Sequence, residues 1–175
     1  MNIEKHLEHR LAQRLAEAKK KRITIKKTPN ADTRTCDPST VSKAELLRCS
    51  KLHISDVKAA TDLLCDLLKE RSVEHDFDKV DDIDGFYKDF QSDDDFVSGD
   101  WYQNHIRVNR HHPTSEGGEA KDLNMIDILE MILDCTVSAM ARAGEVPAIE
   151  IPSELLQLAV ENQVKQLSSM INVED

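Results

Sequence analysis

Three segments decide how this chain is interpreted: VEHDFDK (residues 73–79), WYQNHIRVNRHHP (residues 101–113) and MIDILEMILDC (residues 125–135). Together with His53 they hold five of the seven histidines, and acidic residues stand close to these histidines in the sequence. Histidine nitrogen and carboxylate oxygen are the usual protein ligands of divalent transition metals. The three segments therefore predict a site for such a metal, and Mn, Fe, Co, Ni and Zn are all compatible with it.

The sequence around these segments has the apolar periodicity of helices. Ser42 followed by Glu45 resembles a capping box, and the pattern after it predicts one long helix or two abutting helices that end near Arg71. Further helices are predicted over residues 83–91, 98–109 and 125–143, and from residue 153 onward. The expected fold class is all-α.

Three acids fall on one face of the helix predicted at residues 125–143, namely Asp127, Glu130 and Asp134. Acids on a helix otherwise rich in Ile, Leu and Met are costly unless a cation compensates their charge. A metal ion, Lys79 or an arginine is each a candidate for that cation.

Residues 1–41 are predicted to form a basic helical arm followed by a linker, and residues 42–175 a single helical domain that carries the metal site. Apolar residues recur every fourth position in the first helix, which makes a homo-oligomer formed through residues 3–15 a reasonable hypothesis. The basic run at residues 19–27 is a candidate contact for an acidic partner. It also contains a short predicted strand, in which isoleucines alternate with polar residues.

Composition narrows the class of protein. The formal net charge is −10, and because the N-terminal arm is basic, the remaining residues are strongly acidic. An acidic body argues against a general nucleic-acid surface, since contacts to phosphates need a basic face. The sequence contains no run of about 18 apolar residues, so no membrane span is expected. With no apolar leader and no CxxC pair, a cytoplasmic protein with reduced thiols is expected.

The order of the histidines and aspartates resembles that of the HD-domain metal-dependent phosphohydrolases. In that pattern His53 would be the first histidine, His75 and Asp76 the adjacent pair, and Asp134 the distal aspartate, and these four would bind one ion. The resemblance further implies that intervening histidines, His105 and His112, bind a second ion. His112 rather than His111 is expected to face inward.

A narrower resemblance covers residues 50–145. It connects the chain with a small group of phage and bacterial HD-like proteins that carry the motifs HDxSK, WxxxH, NxHHP and EMxxD. This sequence departs from the group at Asp78, where serine is usual. The resemblance implies an HD-like helical domain, one or two divalent ions and, if the chain is phage-encoded, a location in the host cytoplasm.

The resemblance also implies an activity, the hydrolysis of a small phosphate compound, with a nucleotide as the expected substrate and a metal-activated water as the nucleophile. Asp76, Lys79 and Glu130 are then the expected catalytic set: Asp76 bridges the ions or orients the water, and Glu130 holds a histidine ring. The candidates for binding the substrate are Lys79, Arg107, Arg110 and His111.

Two other interpretations use the same residues. In the first, the metal set is closed and structural, and the chain is a helical module that binds a host or phage protein through its basic arm. In the second, the ligands form an HD-like di-iron oxygenase. An open coordination position separates an enzyme from a structural site, and oxygen consumption with iron separates an oxygenase from a hydrolase.

Overall fold

A computed structural model of the chain describes residues 21–28, 30–31, 33–92, 95–115 and 120–175. The helix predicted at the N-terminus and its possible self-association through residues 3–15 lie outside the described residues. The elements are, in chain order, strand β1 (Ile23–Lys26), a 3-10 turn (Thr33–Thr35), helices α1 (Lys43–Glu74), α2 (Phe77–Asp81) and α3 (Ile83–Phe90), a second 3-10 turn (Phe96–Ser98), helices α4 (Asp100–Val108), α5 (Met125–Ala143) and α6 (Ser153–Met170), and strand β2 (Ile171–Glu174).

The predicted all-α fold class is confirmed, because the sheet in the described part of the chain consists of two four-residue strands. β1 and β2 pair in parallel, with Ile23 opposite Ile171 and Ile25 opposite Val173. The strand predicted from the alternation of Ile23 and Ile25 is therefore present. Its partner is the segment after α6, for which the sequence offered no strand prediction.

The chain divides into two compact units, one comprising residues up to Cys65 together with Gln166–Asp175, and the other comprising Asp66–Lys165. The sequence places a boundary after residue 41 on composition, whereas this division groups β1 and β2 with the first part of α1. All the site residues described below, except His53, belong to the unit Asp66–Lys165.

Helix α1 is one continuous helix of 32 residues rather than two. It begins as predicted, because the backbone N–H of Glu45 donates a hydrogen bond to Ser42 Oγ at 3.1 Å. It continues to Glu74, beyond the end predicted near Arg71. The site therefore begins directly after the last turn of this helix.

Helix α5 has both of its predicted bounds because each end carries a local capping signal. At its start the side chain of Asn124 accepts from the N–H groups of Ile126 and Asp127, and Asp127 accepts in return from the N–H of Asn124 at 3.0 Å. At its end Gly144 has φ 74°, a left-handed conformation that glycine adopts without strain. The chain thus fixes in place the helix that supplies three acids to the site.

The core of the unit Asp66–Lys165 lies where α5 packs on α6. Leu123, Ile128 and Ala159 are almost fully buried there, and four partly buried side chains pack against them, Met125, Ile132, Ile151 and Leu155. Burial of this apolar face anchors α5, so that its acidic positions point away from the core.

Aromatic side chains join α3 to α4. Trp101 stacks between Phe86, at a ring-centroid distance of 4.5 Å, and His105, at 5.2 Å. Its Nε1 donates to Asp82 Oδ2 at 3.1 Å, and Asp82 Oδ1 accepts from the N–H of Gly85. A Cβ at Gly85 would make the Asp82 carboxylate shift, and its hydrogen bonds to Trp101 and to the N–H of Gly85 would be disturbed. Among the described helices, none combines the length and the apolarity needed to cross a membrane.

Candidate metal centre

Asp76 lies at the corner between α1 and α2 in a left-handed backbone conformation, with φ 54° and ψ 24°. Within the described residues it is the only non-glycine residue with positive φ. Aspartate tolerates this conformation better than most residues do. The corner stops α1 and starts α2, and Lys79 Nζ closes it with an ion pair to Asp76 Oδ2 at 2.6 Å.

One group of potential metal ligands consists of Asp76, His105, His111 and His112, whose ligand atoms all lie within 4.8 Å of one another. His105 Nε2 is 3.0 Å from His112 Nε2 and 3.5 Å from Asp76 Oδ1. His111 Nε2 is 3.3 Å from the same oxygen. Three imidazoles and a carboxylate that converge in this way form a donor set suited to a divalent transition metal.

A second group consists of His75, His111 and Asp134. His75 Nε2 lies 3.5 Å from Asp134 Oδ1 and 3.6 Å from Asp76 Oδ2. Asp76 Oδ1 lies near His105 and His111, whereas Oδ2 pairs with Lys79 and lies near His75. Together the two groups form a His/Asp cluster that could hold a metal ion.

Five of the six predicted metal ligands come together in this cluster: His75, Asp76, His105, His112 and Asp134. His53 does not join them; it is exposed on α1, in the other unit, and belongs to neither group.

His111 corrects the expectation that only one residue of the histidine pair faces inward. His111 is 2% exposed and belongs to both groups, while His112 belongs to the first. The chain makes a tight turn here, in which the N–H of His112 bonds to the carbonyl of Asn109 and the rings of His111 and His112 lie 4.2 Å apart. This turn directs both adjacent rings into the cluster.

Asp78 and Asn109 hold His105 and were not identified from the sequence. Both oxygens of Asp78 approach His105 Nδ1, at 3.1 and 3.0 Å, and Asn109 Nδ2 donates to Asp78 Oδ1 at 2.9 Å. Occupation of Nδ1 leaves Nε2 of the same ring for a metal. A signal was present: Asn109 follows His105 by four residues, and Asp78 follows the His75–Asp76 pair.

Glu130 occupies the position expected for a carboxylate that holds histidine rings. Its Oε1 is 3.2 Å from His75 Nδ1 and 3.4 Å from His111 Nδ1. The Nε2 atoms of both rings are thereby left on the side of the cluster. Arg71 Nε lies 3.6 Å from Glu130 Oε2 and holds the carboxylate from behind.

Asp127 forms ion pairs with two arginines, which are cations of the kind expected for an acid on this helix face. It is fully buried and pairs with Arg71 at 3.0 Å and with Arg110 at 2.7 Å. Arg110 also pairs with Asp122 at 2.9 Å. Burial alone would lower the pKa of Arg110, but the two carboxylates outweigh it and raise that pKa.

Two of the predicted substrate-binding arginines therefore have other contacts. The guanidinium of Arg110 donates hydrogen bonds to Asp127 and Asp122, and these contacts stabilise the start of α5. Arg107 is exposed and donates to Asn104 on its own helix at 2.7 Å. Of the cations predicted to bind the substrate, Lys79 lies at the edge of the cluster, where it contacts Asp76.

Burial and neighbouring charges shift the pKa values of three residues of the cluster. Burial would raise the pKa of Asp76, but the imidazole of His111 and the ammonium of Lys79 outweigh it and hold that pKa well below its usual range. Burial likewise opposes protonation of His111, yet Asp76 and Glu130 raise its pKa to about 9. Burial, reinforced by His111 and His105, lowers the pKa of His112 to about 4.

Unsatisfied polar atoms also occur in the cluster. Asp76 Oδ1 is buried and has no hydrogen-bond partner, although two histidine nitrogens lie within 3.5 Å of it. A buried carboxylate oxygen without a hydrogen bond is costly, and here the nearby imidazole of His111 compensates its charge when no metal is bound. A divalent cation among these atoms would satisfy it, so the residues fit a bound metal.

A pocket of about 230 Å³ adjoins the second group. It lies between the C-terminal end of α1 and the middle of α5. Its lining residues are Leu68, Ser72, His75, Glu130, Leu133, Asp134 and Val137.

Comparison with known proteins finds no matching family model, no matching curated protein and no matching solved structure. The interpretation of the site accordingly rests on its own geometry and donor chemistry. These define a buried cluster of histidines and aspartates able to hold a metal ion.

Proposed function

We propose that this chain is a divalent-metal-dependent phosphohydrolase of the HD-like type that acts on a small phosphate compound. The observation that carries the proposal is the convergence of His75, Asp76, His105, His112 and Asp134, the residues that match the HD-like pattern, on one cluster beside a pocket. The cluster has enough donors for one or two ions of Mn, Fe, Co, Ni or Zn.

The accessibility of the cluster favours catalysis over a purely structural metal. Structural zinc sites are closed by four protein ligands, whereas catalytic sites keep a position open to water or substrate. Here the side chains of His75, Asp76 and Asp134 are 30%, 22% and 34% exposed. A phosphate group can therefore approach the second group from solvent.

The reaction proposed is hydrolysis of a phosphate ester. A bound divalent ion supplies Lewis acidity and activation of water. The oxygen of water forms a bond to phosphorus, the bond between phosphorus and the ester oxygen breaks, and the departing oxygen keeps the electron pair and takes up a proton. The products are the free alcohol and the phosphate that has gained the water oxygen.

The chain's own residues have distinct parts in this reaction. Asp76 presents Oδ1 to His105 and His111, and Glu130 and Asp78 contact Nδ1 of the histidine rings, which leaves Nε2 toward the cluster. Lys79 Nζ borders Asp76 and its side chain is 38% exposed, so its ammonium can reach the oxygens of a phosphate group.

Small substrates are favoured over long nucleic acids. The formal net charge of −10 repels a polyanion. Nucleotides are the first compounds to screen, because the HD-domain resemblance implies them.

The decisive experiment combines elemental analysis with a screen for phosphate release. Wild-type protein, freshly purified, is compared with the His75→Ala/Asp76→Ala double variant and with His53→Ala, an exposed histidine outside both groups. We expect about one or two metal equivalents in wild type and His53→Ala, and loss of metal in the double variant. Metal-dependent release of phosphate is expected from wild type and from His53→Ala, and its loss is expected in the double variant.

Other outcomes would redirect the interpretation. Failure to take up Mn, Co or Ni, even when added, would remove the catalytic proposal. A metal that binds without any phosphate release, and that is needed for folding, would favour the structural helical module. Oxygen consumption by the iron-loaded protein would favour the di-iron oxygenase.

A further inference from the structure

The pocket next to the second ligand group is lined on one side by polar residues of the cluster and otherwise by aliphatic residues. Three of its lining residues, His75, Glu130 and Asp134, also belong to the cluster or hold its rings. A molecule that places its phosphate at the cluster therefore places the neighbouring atoms in this pocket. The pocket is in the position of a substrate subsite.

The remainder of the lining is almost entirely aliphatic. Leu68 comes from α1, and Leu133 and Val137 come from successive turns of α5. The one neutral polar side chain is Ser72, whose hydroxyl donates to the carbonyl of Lys69 at 2.8 Å. A sugar or glycerol group bound here would lose hydrogen bonds to water and find few in return, which disfavours such ligands.

The volume indicates the size of the group that the pocket can cover. A cavity of about 150 Å³ lined by aliphatic side chains holds benzene. The pocket here has about 230 Å³, which is enough for one six-membered ring or a short alkyl chain.

We propose that this pocket binds the ester group of the substrate and that this group is a compact alkyl or aryl group. The inference rests on the proposed phosphohydrolase function and narrows its substrate from small phosphate compounds in general to apolar phosphate monoesters. Leu68, Leu133 and Val137 are then the residues that determine specificity.

The test uses the full chain loaded with Mn²⁺ and a series of propyl, butyl and pentyl phosphates, with glycerol phosphate and adenosine monophosphate for comparison. The alkanols of the series have similar acidity, so their rates differ through binding rather than through the leaving group. Each buried methylene should raise kcat/KM about twofold to fourfold. Glycerol phosphate and the nucleotide should be poorer substrates than pentyl phosphate.

Two variants on α5 provide the matched comparison. Leu133→Asn places an amide in the pocket and should flatten the dependence on chain length. Leu129→Asn makes the same change one turn earlier, at a residue that is 40% exposed and outside the pocket lining. It should keep the dependence of the wild type.

The failure of this inference can be told apart from failure of the proposed function. Phosphate release that is independent of chain length, or equally affected in both variants, would overturn the apolar subsite and leave the phosphohydrolase intact. If no phosphate is released, methyl NMR with pentylphosphonate decides, with diamagnetic Zn²⁺ in place of Mn²⁺ because Mn²⁺ broadens methyl signals close to it. Shifts confined to Leu68, Leu133 and Val137 would support the subsite without the hydrolase, and their absence would overturn the subsite.

Discussion

Both carboxylate oxygens of Asp78 lie within 3.1 Å of Nδ1 of His105, and both side chains are buried. The narrower HD-like group usually has serine at the position of Asp78. An anionic partner fixes the ring of His105 more firmly and increases the basicity of its Nε2. We therefore expect Asp78 to strengthen the binding of a metal at His105 Nε2.

Replacement of this carboxylate should weaken the metal site without removing a ligand. We expect Asp78→Asn to lower the affinity for Mn²⁺ about 10-fold to 100-fold, because the amide holds the imidazole less strongly. A competition titration against a chelating dye measures this. Asp84→Asn, an exposed acid on α3, is the control and should not change affinity. Equal affinity of Asp78→Asn and wild type would show that the contact does not serve metal binding.

Metal binding should depend on pH through His111. Its pKa is raised to about 9 by Asp76 and Glu130 against the opposing effect of burial, and a metal that uses this ring must displace the proton. The apparent association constant should therefore fall by about tenfold for each pH unit below 9, and level off above it.

The Glu130→Gln variant tests the cause of this dependence. Loss of the negative charge should lower the pKa of His111, so that the fall in affinity begins at a lower pH than in wild type. Isothermal titration with Mn²⁺ in buffers of different protonation enthalpy also counts the protons released. Affinity that stays constant between pH 7 and pH 9 would contradict the role given to His111.

Lys79 should matter for reaction rate rather than for metal content. Lys79→Met keeps much of the side-chain length and removes the charge, and should lower kcat about 100-fold or more if the ammonium stabilises phosphate charge in the transition state. Metal content should remain that of wild type. Lys88→Met, at an exposed position of α3, provides the control. A loss of metal in Lys79→Met would instead assign Lys79 to maintaining the Asp76 corner.

Asp127 should be important for stability. It is fully buried, belongs to the capping box of α5 and pairs with Arg71 and Arg110, so its replacement removes a buried carboxylate that two guanidinium groups share. We expect Asp127→Asn to lower the free energy of unfolding by about 3 kcal/mol, as removal of one member of a buried ion pair does. Urea denaturation measures the change. The exposed pair of Lys58 and Asp62 is the comparison, and Asp62→Asn should cost about 0.5 kcal/mol or less.

What could be predicted from the sequence was encoded locally. Asn124 and Gly144 carry capping signals that act within one helical turn, and the bounds predicted for α5 match the structure. The adjacent His75 and Asp76 lie at a helix end, where they were expected. The face of a helix and its caps depend on neighbouring residues, so a single sequence contains that information.

What could not be predicted depends on packing between distant segments. Whether His111 or His112 turns inward is decided by the turn after α4, and both do. Arg110 looks like a phosphate ligand in the sequence, but the buried Asp127, 17 positions later, pairs with it. His53 was selected for its order in the chain, which contains no information on the exposure of its helix face.

His111 belongs to both ligand groups, and this makes the groups dependent on each other. An imidazole nitrogen has one lone pair, so the ion that takes Nε2 of His111 leaves the other group only Nδ1, which faces Glu130. We therefore expect that two ions, if both bind, would not bind independently. The first ion would change the donor set offered to the second, so the protein itself would determine the order of filling.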